Sequence, residues 1–126
     1  MNTLKTSVVI CGAGPAGLVL AHLLGQQDVA VVIIDKLATT VAEPRAIAID
    51  GESLRTLQKL GLYEGFENEL LTGIEADYIN GDGDVLFHAG QPQHRPYGFA
   101  TVNAFDQPTL DRYLAATLAE RTSVAI

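Results

Sequence analysis

The sequence predicts an α/β fold built on a strand–helix–strand unit, and three observations carry that expectation. A β-branched apolar run, Thr6 to Cys11, stops at a glycine. Leucines and alanines then recur at helical spacing behind Pro15. A second β-branched run, Val29 to Asp35, follows at the distance that a βαβ unit needs. The 126 residues, 48% hydrophobic and 18% charged, suit one globular domain able to bury a core. Disordered and fibrous classes are excluded.

Each element has a local reason. Thr6 to Cys11 reads as a strand buried on both faces, as in a parallel sheet. Pro15 to Gln27 reads as a helix with Leu18, Ala21 and Leu24 on one face, and Pro15 suits its first turn because no N–H is needed there. Asp28 closes it, Val29 to Asp35 forms a second buried strand, and the crossover should be right-handed. A loop, Lys36 to Ile49, carries Glu43-Pro44-Arg45. Asp50 can cap a helix from Glu52 to Leu60, with Leu54, Leu57 and Leu60 on one face and Gly61 as its stop. Ile74 to Asn80 and Val85 to Ala89 alternate around Gly81-Asp82-Gly83-Asp84, which signals a hairpin. Gln91 to Pro96 reads as loop and Phe99 to Phe105 as extended. Asp106 stands as a cap before a helix from Pro108 to Arg121, with Leu110, Leu114 and Leu118 one turn apart. Ser123 to Ile126 opens a strand-like run, so the expected domain is truncated inside an element.

Charge and cysteine content narrow the classes further. Eight Lys+Arg against fifteen Asp+Glu leave −7, the wrong sign for binding nucleic acid through its phosphates. The single Cys11 allows no internal disulfide and no cysteine-rich zinc site, and it fits a reducing cytoplasm. Val8 to Gly25 carries no formal charge. Its clustered glycines and proline suit a strand–turn–helix better than a signal or membrane span, so no membrane partner is expected.

Chemistry concentrates in Gly12-Ala13-Gly14-Pro15-Ala16-Gly17. This G-x-G-x-x-G lies between a predicted strand and a predicted helix, with Asp35 at the end of the next strand. Gly12 permits the tight turn, Gly14 lets backbone approach a pyrophosphate, and Gly17 lets the helix pack close to the strand. The helix N-terminus offers N–H groups to phosphate oxygens. Asp35 can accept hydrogen bonds from the ribose hydroxyls of an adenosine. Together these describe a Rossmann-like dinucleotide site, against the plain alternative of a glycine-rich turn in an unrelated α/β protein.

The longer pattern resembles the fingerprint of FAD-binding flavoproteins, with Gly17, Ala21, Leu24, Val31 and Asp35 in register. It departs once, at Asp28, where the pattern has glycine; Asp tolerates a left-handed backbone. Pro44-Arg45-Ala46-Ile47-Ala48-Ile49-Asp50, the helix ending in Lys59-Leu60-Gly61-Leu62, and the Gln107-Pro108-Thr109-Leu110-Asp111 helix start resemble class A flavoprotein aromatic hydroxylases of the para-hydroxybenzoate hydroxylase type. The likeness is greatest to the 3-(3-hydroxyphenyl)propionate hydroxylase branch. It implies FAD as cofactor, NADH or NADPH as reductant, and transfer of one oxygen atom of O₂ to a small phenolic substrate. It also implies that Arg45 and Gln107 contact the flavin's ribitol and pyrophosphate region, with Lys36 counted beside Asp35. Residues 1–126 would be the N-terminal FAD-binding portion, and about 74–98 an excursion into a β-rich substrate domain. The family's second flavin-contacting Gly-Asp motif is not among these residues, so no catalytic residue is named and the chain alone is expected to be inactive. A dimer is left open. Two other readings stand beside this one: a different flavoprotein such as a reductase or amine oxidase, and a non-catalytic truncated nucleotide-binding domain.

Several residues have plainer readings. Arg45 could be a surface cation and Gln107 a first-turn residue of its helix. Cys11 reads as a small hydrophobe in a buried strand. His22, His88 and His94 are too irregularly placed for a metal site, and Asp82 with Asp84 reads as a solvated turn. Between Leu60 and His94 stand seven acids and no Lys or Arg, a solvated surface or one facing a basic partner segment.

Overall fold

The computed structural model describes residues 5–38 and 43–126; part of the predicted Lys36 to Ile49 loop lies outside the described residues. In chain order the elements are β1 (Val8–Cys11), α1 (Pro15–Gly25), β2 (Val31–Ile34), β3 (Ala48–Asp50), α2 (Gly51–Lys59), β4 (Leu70–Thr72), β5 (Ala76–Ile79), β6 (Val85–Ala89), β7 (Val102–Phe105), α3 (Gln107–Leu118) and β8 (Val124–Ala125). They form two compact units, Met1–Pro44 with Gln107–Ile126, and Arg45–Asp106. Among the described residues, no helix is long and apolar enough to cross a membrane.

The first unit is the predicted βαβ with two additions. β1 runs parallel to β2 in the register Val8↔Val31 to Cys11↔Ile34. β8 pairs parallel with β2 on its other side, Val31↔Val124 and Val32↔Ala125. The apolar run at the chain's end therefore extends the sheet. α1 packs on β1, β2 and α3, and Ile10, Leu18, Ala21, Val31, Ile33, Leu110, Leu114 and Leu118 are buried. The expectation of strands buried on both faces is corrected here. Val9 is 55% and Ile34 51% exposed, because within this unit residues of only one strand parity are covered. β-Branched composition marks a strand, but it does not report how many faces are covered. α1 ends at Gly25, and Asp28 takes the left-handed conformation (φ 55°) expected of it.

His22 is buried completely between α1 and α3. Its Nε2 donates to the Leu114 carbonyl at 2.9 Å, and its Nδ1 accepts from Arg121 Nε at 3.4 Å. Burial, followed by the Arg121 charge, lowers its pKa below the usual 6.5, opposed by the Leu114 hydrogen bond.

The second unit has its own core of Leu54, Leu57, Leu60, Leu62, Phe66 and Phe99. Asp50 caps α2 as predicted, its Oδ1 accepting from Ser53 N at 2.7 Å, and Gly61 (φ +72°) follows the helix end. β7 is the centre of an antiparallel sheet ordered β3-β7-β4. β3 lies in the expected loop, and β4 follows a short 3-10 turn, Glu67–Glu69. Each has only three residues, too few for a periodic signal, and each is a strand because β7 pairs with it. Asn103, fully buried on β7, donates from Nδ2 to the Ile49 and Ala100 carbonyls and accepts from Gly73 N through Oδ1. The predicted hairpin is present as β5–β6, with Tyr78 stacked on Phe87 and Asp77 paired with His88. Apart from Ala89, which is half-buried, its strand residues are exposed.

Candidate functional site

The site is assembled where the chain leaves β1. Gly12 adopts φ +112°, a region that L side chains avoid, and its N–H donates to the Ile34 carbonyl at 2.7 Å. That bond ties the turn to the end of β2. Gly14 is the N-cap of α1, in extended conformation, and Pro15 occupies the first turn. No side-chain cap bonds to α1, and no acid stands in its first turn. The leading amides of this helix therefore keep their positive field for an external anion. Gly17 explains itself by geometry. A Cβ there would lie 2.0 Å from the Gly12 carbonyl oxygen and 3.3 Å from Ile10 Cγ2.

Asp35, just past β2, faces this turn. Its Oδ2 accepts from Ala13 N at 2.7 Å and its Oδ1 from Leu37 N at 2.8 Å. Those amides, Ala13 first, and the neighbouring Lys36 charge hold its carboxyl below the ordinary carboxylate range against a smaller opposing effect of burial. A carboxylate has about four acceptor positions, so two hydroxyl donors could still be accommodated. Asp35 and Lys36 line an open cleft of about 500 Å³ with Cys11, Gly12 and Ile34. Aliphatic and thiol groups beside one carboxylate and one ammonium suit an adenosine better than a bare ion.

The predicted residues fall into separate groups. Gly12, Gly14, Pro15, Ala16, Gly17, Asp35 and Lys36 belong to the turn, the first turn of α1, or the cleft. Gln107 opens α3 in the same unit and is 5% exposed, its Nε2 donating to Asp111 Oδ2 at 3.4 Å. Arg45 belongs to the second unit, where it is exposed ahead of β3. Cys11 corrects an expectation: it is exposed and lines the cleft, since its strand face is uncovered. Sequence reasoning also missed the Ala13 amide. Backbone polarity carries no residue-type signal, and only its offset of one position from Gly12 could have suggested it.

These residues fit the adenosine diphosphate end of a dinucleotide: a turn that excludes Cβ, an uncapped helix start, and a carboxylate with acceptor capacity left. The chain matches the FAD binding domain family over residues 5–126. It is 36% identical over 121 residues to a 3-(3-hydroxy-phenyl)propionate/3-hydroxycinnamic acid hydroxylase of Mycobacterium sp. (strain JLS), covering 96% of this chain and 21% of that protein. The protein of the same name from Comamonas testosteroni is 40% identical over 107 residues, 85% of this chain and 18% of that one. Among solved structures, p-nitrophenol 4-monooxygenase PnpA from Pseudomonas putida superposes with TM-score 0.81 at 24% identity, over 100% of this chain and 32% of that one. The flavin-dependent monooxygenase PieE, solved with FAD and substrate, gives 0.79 at 20% identity, over 99% and 24%. The chain thus spans about a fifth of the length of these curated relatives.

Proposed function

Because this chain belongs to the FAD binding domain family, we propose that it grips the adenosine diphosphate half of FAD in a monooxygenase that hydroxylates small phenolic compounds. The single observation that carries the reading is the uncapped, acid-free start of α1 behind a glycine turn strapped to the carboxylate-bearing end of β2. The substrate class rests on the names of the relatives and on the hydroxylase-like motifs around Arg45 and Gln107. When bound, the flavin supplies the redox chemistry, taking electrons from NADH or NADPH and passing one atom of O₂ to the aromatic ring. The protein's part here is binding and orientation. Amides of Gly14, Ala16 and Gly17 would hold the pyrophosphate, Asp35 would accept from the ribose hydroxyls, and Lys36 would border the adenosine. Arg45 and Gln107 are assigned to the pyrophosphate and ribitol, where a guanidinium fork and an amide suit oxygen-rich ligands. Residues 74–98, whose hairpin exposes Tyr78, Ile79, Leu86 and Phe87, are assigned to a β-rich substrate domain. The protein is placed in the cytoplasm with an aromatic substrate and O₂ as its partners, without nucleic acid or membrane, and a dimer is its candidate assembly.

The test is titration of the 126-residue chain with FAD, ADP, NAD and NADP. ADP should displace FAD, and NADP should bind least well, because its 2′-phosphate would meet the Asp35 carboxylate. Asp35→Ala should weaken ADP at least about tenfold, the worth of one charge-assisted hydrogen bond. NADP emerging as the preferred ligand, indifferent to Asp35→Ala, would refute the assignment. With FAD, NADH and a phenol the 126-residue chain alone should give no hydroxylated product, since the residues named here act on the adenosine diphosphate and ribitol portion and not on the reacting ring.

A further inference from the structure

The Asp35 carboxylate adds a side-chain link between the glycine turn and the chain just past β2. Oδ2 holds the Ala13 amide of the glycine turn, Oδ1 holds the Leu37 amide two residues on, and the residue itself directly follows β2. The neighbouring Gly12 amide is bound to Ile34, so two successive residues of the turn are fastened to the same strand end. Glycine-rich backbone loses more conformational freedom on ordering than any other kind. A turn that must present amides to phosphate gains affinity if that ordering is complete before the ligand arrives.

We propose that Asp35 is a positioning residue for the glycine turn, shaping the pyrophosphate-facing backbone in the ligand-free protein independently of any contact with ribose. The consequence for phosphate rests on the function proposed above, whereas the shaping of the turn does not. Charge and geometry make opposite predictions for a ligand that has phosphates and no ribose. Replacing Asp35 by Asn removes a negative charge near an anion, which by itself strengthens anion binding. It also puts an NH₂ where one backbone N–H needs an acceptor, which releases part of the turn.

The experiment compares wild type, Asp35→Asn and the charge-conserving Asp35→Glu, whose extra methylene misplaces the two oxygens. Amide hydrogen exchange at Ala13 and Leu37 is read by NMR in ligand-free protein, and inorganic pyrophosphate and ADP are titrated as probes. Exchange at one or both amides should rise at least tenfold in each variant, and pyrophosphate affinity should fall about threefold or more in both. Unchanged exchange overturns the proposal, as does pyrophosphate bound equally or more tightly by Asp35→Asn. If wild type binds neither probe, the proposed function fails, and the exchange rates still decide the role of Asp35 in the turn.

Discussion

Gly17→Ala tests the closest approach in the site. The added methyl would stand 2.0 Å from the Gly12 carbonyl oxygen, whereas carbon–oxygen contacts below 3.0 Å are essentially never populated. Something must therefore move by about 1 Å, and the obstacle is backbone, which cannot rotate aside as a side chain can. Either the Gly12 peptide shifts, straining its 2.7 Å bond to Ile34, or α1 lifts away from β1 and loosens the core that buries Ile10, Leu18 and Ala21. Overpacking of this kind costs about 3 kcal/mol at the upper end of its usual range. Against it stands the better helix propensity of alanine, about 1 kcal/mol. The net expectation is about 2 kcal/mol of destabilisation, roughly 8 °C in melting temperature for a chain of this size. Urea unfolding followed by circular dichroism measures it, and ADP titration of the folded variant should show at least about a tenfold loss as the turn is displaced. Gly81→Ala is the control: nothing lies within 4 Å of its added Cβ, and its backbone is not in the left-handed region. A Gly17→Ala protein with unchanged stability and unchanged ADP affinity would refute the close-approach argument.

Two further predictions concern buried polar groups. His22 is held neutral, its folded pKa below the ordinary 6.5; it therefore contributes no pH dependence well above 6.5. As pH falls below that value the unfolded chain takes up the proton first, and stability declines until the folded pKa is passed. Unfolding midpoints at pH 7.5, 6.5 and 5.5 should fall in that order in wild type and flatten in His22→Gln, and an equal slope in both would exclude His22 as the source. Asn103→Ala removes the partner of two carbonyls and one amide in a fully buried site, for an expected cost of about 3 kcal/mol. A loss below about 1 kcal/mol by urea unfolding would mean that water replaces the amide there.

Chain-local chemistry determined much of this protein without reference to tertiary structure. Pro15 before spaced leucines, Asp50 ahead of Leu54 and Leu57, and Gly61 at φ +72° are cap and period signals that act within a few residues. So is the run of turn residues between β5 and β6, where Asn80 Oδ1 accepts from the Asp82 and Asp84 amides. The glycine turn was legible for a similar reason, since the φ of +112° at Gly12 and the close approach at Gly17 demand glycine at fixed spacing. Tertiary structure alone decided the rest. β3 and β4 are strands only because β7 lies between them. Cys11 and Ile34 are exposed only because their side of the first sheet is uncovered. Asp35 reaches an amide 22 positions away, His22 a carbonyl 92 positions away, and Asn103 one 54 positions away. The Leu114 and Ile49 carbonyls and the Ala13 N–H in these bonds are main-chain groups that nearly every residue type supplies alike, so residue identity cannot announce them; only the folded path of the chain brings each donor within reach of its acceptor.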